Sequence, residues 1–208
     1  MLLQKSNAQM AKLFGIRKSV AYYLTRPAVR LLARTSITPN AITWFGFLLA
    51  VGAAALIVTG HLFAAGFVVL IAGFFDLLDG ALARHTNQTT RFGVVLDSML
   101  DRLSEAVLLL GILLLYARDQ SIIPILLVCL ALLGGLLVSY IRARAETLGL
   151  ECQVGLFTRA ERVVVLALGL LLNQIAYALV TALAIIVVFS FFTIGQRLLY
   201  VWQQTKAK

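Results

Sequence analysis

Apolar runs long enough to cross a bilayer recur along this chain, and no other feature limits its fold so severely. A hydrocarbon layer offers backbone groups no hydrogen-bond partner, so runs of about 20 residues must close their own hydrogen bonds as helices. The runs fall at about 40–60, 62–84, 92–117, 122–142, 156–173 and 175–196. The fifth is the weakest, because Arg159, Glu161 and Arg162 occupy its first two turns. With 61% hydrophobic and 13% charged residues in 208, the composition excludes an ordinary soluble domain and leaves no room for a separate one. The expected fold is an all-α integral membrane bundle of six transmembrane helices, preceded by an N-terminal interfacial amphipathic helix. Its expected divisions are a cytoplasmic N-terminal segment at 1–39, a membrane domain at 40–200 and a cytoplasmic tail at 201–208.

Charge placement orients the bundle. Of the 18 basic residues, only Arg118 falls in a loop on the far side, so the positive-inside rule puts both termini in the cytoplasm. The net charge of +9 then lines a membrane surface, which excludes a nucleic-acid partner. The first 39 residues lack a signal peptide's apolar core. Thr25-Arg26-Pro27 reads as a helix start, and Arg26, Arg30 and Arg34 repeat every four residues opposite Val29, Leu31 and Leu32. Pro39 should stop that helix and Asn40 cap the next. Cys129 and Cys152 give neither a disulfide framework nor metal-ligand spacing, and His61 and His85 read as solvated loop residues.

Four aspartates break the second and third runs: Asp76, Asp79, Asp97 and Asp101. Spaced three and four apart, each pair shares a helix face, and a hairpin turning at His85–Thr90 would bring the pairs to the same cytoplasmic end. A carboxylate in a membrane segment costs roughly 2.5–3.5 kcal/mol on insertion scales, so four need a compensating partner. Converging carboxylates without equally many bases point to divalent cations, and all-oxygen ligands suit Mg²⁺ or Mn²⁺. Gly80 and Ala83 keep the same face small, Gly93 lies on the stripe of Asp97 and Asp101, and Glu105 continues it one turn deeper as an expected partner of a basic residue.

Written D-x2-D-G-x2-A-R-x8-G-x3-D-x3-D, the segment matches Asp76, Asp79, Gly80, Ala83, Arg84, Gly93, Asp97 and Asp101. This resembles the signature of the CDP-alcohol phosphotransferases, integral membrane enzymes of phospholipid synthesis. The resemblance implies two metal ions held by Asp76, Asp79 and Asp97, with Asp101 beside them as general base. It implies a CDP-lipid substrate whose CMP moiety lies along Gly80, Ala83, Arg84 and Gly93, near Pro39 and Asn40 of the Thr38-Pro39-Asn40 element. No serine, cysteine or histidine is placed as a nucleophile, which favours direct in-line displacement.

The acceptor is read from arginines at the cytoplasmic helix ends. SYIRARAE at 139–146 and RAER at 159–162 resemble the prokaryotic branch that makes phosphatidylinositol phosphate or archaetidylinositol phosphate. In that branch a pocket for the phosphate of inositol 1-phosphate would correspond to Ser139, Arg142, Arg144, Arg159, Arg162 and Arg197. Bacterial members of it carry lysine where Arg142 stands. The alternatives are a phosphatidylglycerophosphate synthase using glycerol 3-phosphate and, from another class, a divalent-cation transporter. The resemblance further implies a homodimer in a prokaryotic cell membrane, with the active site facing the cytoplasm.

Overall fold

The computed structural model describes residue 23, residues 25–150, residue 152 and residues 154–206. They form six helices after a short helical segment at 25–32: α1 Pro39–Val58, α2 Leu62–His85, α3 Arg91–Arg118, α4 Ile122–Thr147, α5 Arg159–Leu171 and α6 Ala178–Lys206. There is no strand among the described residues. Each expected apolar run lies on one helix, but only α1, α2, α4 and α6 are both long and apolar enough to cross a membrane. Helix α3 has 28 residues and carries Arg91, Asp97, Asp101, Arg102 and Glu105 between its start and its middle. Helix α5 has 13 residues. At 1.5 Å per residue that is about 20 Å, less than a hydrocarbon core of about 30 Å.

Local chemistry explains the helix ends. Thr38, not Asn40, caps α1: its hydroxyl accepts from the Ala41 N–H at 3.3 Å, and Pro39 takes the first turn, where a missing N–H is harmless. Thr90 caps α3 in the same way, accepting from the Gly93 N–H at 2.9 Å. Helix α6 runs well past the expected 196 because Tyr200 and Val201 pack on Ala145 of α4 and on Leu150, Cys152 and Val154 of the α4–α5 connection. In the segment at 25–32, Val29 and Leu32 pack on Ile42, Leu78 and Leu82, while Arg26 and Arg30 are exposed. Leu31, expected opposite the arginines, is exposed, and Tyr23 is also helical. Residues 1–22 of the expected N-terminal segment lie outside the described residues.

The extensive helix–helix packings close a ring in the order α1, α2, α5, α6, α4, α3 and back to α1. Helices α2 and α3 therefore do not pack along their lengths as the expected hairpin; both lean on α1. The far half of the ring is apolar, built on Ile57, Val69, Leu109, Ile112, Leu170, Leu183 and Ile186. There Gly111 lets α3 approach α1 closely, since a Cβ on it would lie 3.1 Å from the Ala54 carbonyl oxygen. Arg118 donates to the Val58 carbonyl at 2.7 Å and ties the far ends of α3 and α1 together. Large exposed apolar side chains such as Phe63, Phe67, Leu126 and Phe192 suit a lipid surround. In the other half, the space left between α2 and α3 is a cleft floored by Gly46 and Ala50 of α1.

Candidate active site

The cleft is walled by Asp76 of α2, Asp101 and Glu105 of α3 and Arg159 of α5. Asp76, Asp97 and Asp101 each offer a carboxylate oxygen, and these oxygens lie within 4.8 Å of one another. Arg159, the first residue of α5, reaches across to them: its Nη1 donates to Asp76 Oδ2 and lies 2.7 Å from Asp101 Oδ1. Arg102 and Arg84 also lie within electrostatic reach of Asp97, so three guanidinium groups stand against the four aspartates, which keep a surplus of negative charge. Asp79 stands apart from the other three aspartates. It is 3% exposed, its Oδ1 accepts the Gly80 N–H at 2.5 Å, and its Oδ2 is buried without a well-formed hydrogen bond, the Thr43 hydroxyl lying near the carboxylate. A buried carboxylate oxygen left unpaired is costly unless a cation meets it. An all-oxygen set of this kind fits a hard divalent cation.

Toward the cleft mouth, the arginine expected beside Gly80 is there. A Cβ at Gly80 would lie 3.4 Å from Arg84 Nη1, so the guanidinium is drawn back over its own helix. Gly93 meets a different element: a Cβ there would lie 2.9 Å from Thr90 Oγ1 and 3.2 Å from Asn40 Oδ1. Asn40, relieved of capping by Thr38, thus presents its amide beside Gly93. Pro39 and Ala83 are half-buried near the same ends of α1 and α2.

The expected arginine pocket divides. Arg162 is buried and forms a two-point ion pair with Glu105, Nε to Oε1 at 2.5 Å and Nη2 to Oε2 at 2.8 Å, which supplies the basic partner anticipated for Glu105. Its Nη1 is buried with no partner. Arg197 is 4% exposed; its Nε donates to the Val154 carbonyl at 2.9 Å and its Nη1 to the Val138 carbonyl. Those acceptors are neutral, so Arg197 is buried without a carboxylate bonded to it. Gly155, at φ 140°, makes that approach possible, because a Cβ on it would lie 2.9 Å from Thr193 and 3.4 Å from Arg197 Nε. Ser139, half-buried, follows Val138 on α4.

Arg142 pairs with Glu146 at 2.8 Å on the exposed end of α4, within electrostatic reach of Arg197. Arg144 is exposed; two positions on along a helix, it projects from a different face and is not gathered with the others. Arg159, expected in this group, is spent on the carboxylates instead. Cys129 and Cys152 are both free, and burial pushes the Cys152 thiol above its ordinary pKa.

A family profile described as CDP-alcohol phosphatidyltransferase matches residues 36–194, which includes the whole carboxylate segment and both arginine-bearing helix ends up to α6. The chain belongs to this family. It is 40% identical over 188 residues to the archaetidylinositol phosphate synthase of Methanothermobacter thermautotrophicus, covering 87% of this chain and 94% of that protein. It is 35% identical over 202 residues to the phosphatidylinositol phosphate synthase of Mycobacterium tuberculosis, covering 93% and 92%. The crystal structure of that mycobacterial enzyme with CDP-DAG bound superposes with a TM-score of 0.76 at 35% identity, covering 86% of this chain and 93% of the other. A second crystal structure of it, in complex with manganese and citrate, gives the same TM-score over 86% and 88%.

In this CDP-alcohol phosphatidyltransferase, one local device went unread in the sequence. Thr158-Arg159-Ala160-Glu161 is a capping box: the Thr158 N–H and hydroxyl both donate to Glu161 Oε2, at 2.7 and 2.5 Å. The T-x-x-E spacing before an apolar run was the available signal. The box fixes where α5 starts, so that Arg159 faces the carboxylates and Arg162, one turn on, faces Glu105.

Proposed function

We propose that this transferase moves the phosphatidyl-type group of a CDP-lipid onto inositol 1-phosphate, with release of CMP. The observation that carries the reading is a pair of buried guanidinium groups within electrostatic reach of each other whose N–H donors are not all met by carboxylates. Arg197 is bonded to neutral carbonyls, and Arg162 keeps an unpartnered Nη1. A neutral alcohol has no need of that charge. A phosphate dianion does, and each charged hydrogen bond to it contributes roughly 1.5–3 kcal/mol. The names of the relatives support the same acceptor, and they leave both diacylglycerol and archaeol as lipid tails.

Asp76, Asp79, Asp97 and Asp101 fit two Mg²⁺ or Mn²⁺ ions. Such ions, when bound, draw charge from the diphosphate and stabilise the departing phosphate oxygen. Arg84, Gly80, Ala83, Gly93, Pro39 and Asn40 receive the CMP moiety, the small residues leaving room for the ring and the Arg84 fork lying over its phosphate side. Arg162 and Arg197, with Ser139 and Arg142 at the rim, hold the acceptor phosphate. Asp101 takes the proton of the attacking hydroxyl as the new phosphorus–oxygen bond forms and the bond to CMP breaks. Arg159 balances Asp76 and Asp101. All six helices span or line the membrane, with the carboxylate end and both termini cytoplasmic, in a homodimer of the prokaryotic cell membrane.

The test is CMP release by purified enzyme supplied with CDP-diacylglycerol or CDP-archaeol and a panel of acceptors. Inositol 1-phosphate should exceed free inositol by orders of magnitude in kcat/KM. Equal use of the two would overturn the phosphate pocket. Preference for glycerol 3-phosphate would keep the pocket and reassign the acceptor.

A further inference from the structure

Glu105 is the one acid of the cleft that the proposed chemistry leaves unused. It sits one turn deeper than Asp101 on the same face of α3, and its side chain is 12% exposed. It binds Arg162 through Nε and Nη2, the side edge of the guanidinium. That two-point contact fixes the plane of the group, as the planar fork of arginine permits. What remains free is the end edge, headed by the buried, unpartnered Nη1. Helix α4 is shaped for this contact: a Cβ at Gly135 would lie 3.0 Å from Glu105 Oε1. A buried ion pair of this kind is weak support for a fold, since an apolar pair of equal volume often serves as well. Its directional consequence is the better reason for its presence.

We propose that Glu105 is a positioning residue for the acceptor phosphate, acting through Arg162. By holding the side edge, it aims the end edge at the acceptor site, where two phosphate oxygens can take the remaining N–H donors. Arg197, within electrostatic reach of Arg162, completes the charge on that side. Gly135 is a further part of the device, because a larger residue would push the Glu105 carboxylate off the guanidinium.

This inference rests on the phosphate-pocket reading, and the experiment separates the two. KM values for inositol 1-phosphate and for the CDP-lipid are measured independently in purified wild type, Glu105→Gln, Glu105→Asp, Gly135→Ala, Arg162→Ala and the Glu105→Gln/Arg162→Ala double variant. Glu105→Gln should raise the acceptor KM about tenfold or more, the scale of one misdirected charged hydrogen bond, with the CDP-lipid KM unchanged. Glu105→Asp keeps the charge but shortens the reach, and should raise the acceptor KM as well. Gly135→Ala alters no charged group and should act in the same direction, which keeps the inference testable if Glu105→Gln folds poorly. The double variant should be no worse toward the acceptor than Arg162→Ala alone. A raised acceptor KM in Arg162→Ala beside a normal one in Glu105→Gln and Gly135→Ala would overturn the positioning role alone. Equal damage to both KM values, tracking a lower melting temperature, would make Glu105 merely structural and overturn it too. An unaltered acceptor KM in Arg162→Ala would remove the phosphate pocket itself, and this inference with it.

Discussion

Two charged regions face each other across one helical turn of α3, and they are unbalanced in opposite senses. Above the turn, Asp76, Asp97 and Asp101 converge on Arg159, and Asp79 adds a buried oxygen without a well-formed hydrogen bond. Below it, Glu105 binds Arg162 while Arg197 is held by backbone carbonyls. The first region carries surplus negative charge and the second surplus positive charge. A ring of helices that must bury ions pairs them where it can, because an uncompensated charge in the interior costs several kcal/mol. The remainder in each region has the sign that suits the proposed ligands, a divalent cation above and a phosphate below. The difference between the regions is what the proposed function uses, cations on the carboxylates and an anionic acceptor on the arginines.

Substitutions can break or sharpen that contrast. The largest effect is expected for Asp97→Asn, which should take CMP release to background and weaken Mn²⁺ binding measured by electron paramagnetic resonance. Removing a surplus negative charge should at the same time leave the metal-free melting temperature equal or higher. Unchanged Mn²⁺ affinity would show that this carboxylate is not a ligand. Asp101→Asn comes next: turnover should fall about a hundredfold or more, as loss of a general base does, while the CDP-lipid still binds. Near-native turnover would pass the base role to another group.

Arg162→Ala tests the other region and should have the opposite effect on stability. It leaves Glu105 buried without its partner, a loss of about 3–5 kcal/mol, read as a lower melting temperature in detergent. A stability equal to wild type would mean that water already reaches the pair. The smallest effect belongs to Arg144→Ala. Arg144 is exposed and lies away from Arg162 and Arg197, so stability should move by no more than about 0.5 kcal/mol and the acceptor KM should hold. A large rise in that KM would bring Arg144 back among the phosphate ligands.

The sequence by itself determined that the described elements are helical, about where each of the six long helices lies, and that Asp97 and Asp101 share a face. Apolar length dictates helix in a bilayer, and the spacing of Asp97 and Asp101 puts both on one face whatever surrounds them. Short-range capping left signals that were misassigned or missed: Thr38 rather than Asn40 caps α1, and the Thr158–Glu161 box went unread, although both close within one turn. Partner choice was not legible. Arg159 and Arg162 are three apart in sequence and equivalent as cations, yet one serves Asp76 and Asp101 and the other Glu105. Arg142 and Arg144 differ by two positions, yet only Arg142 stands near Arg197. These assignments depend on the ring order, which sets α1 between α2 and α3 and brings α5 against α2 rather than α4. That order follows from side-chain packing between helices, such as Gly111 of α3 on Ala54 of α1 and Gly135 of α4 on Glu105 of α3. Hydrophobic periodicity cannot encode it, because lipid-facing and bundle-facing residues are equally apolar and only the fit between surfaces tells them apart.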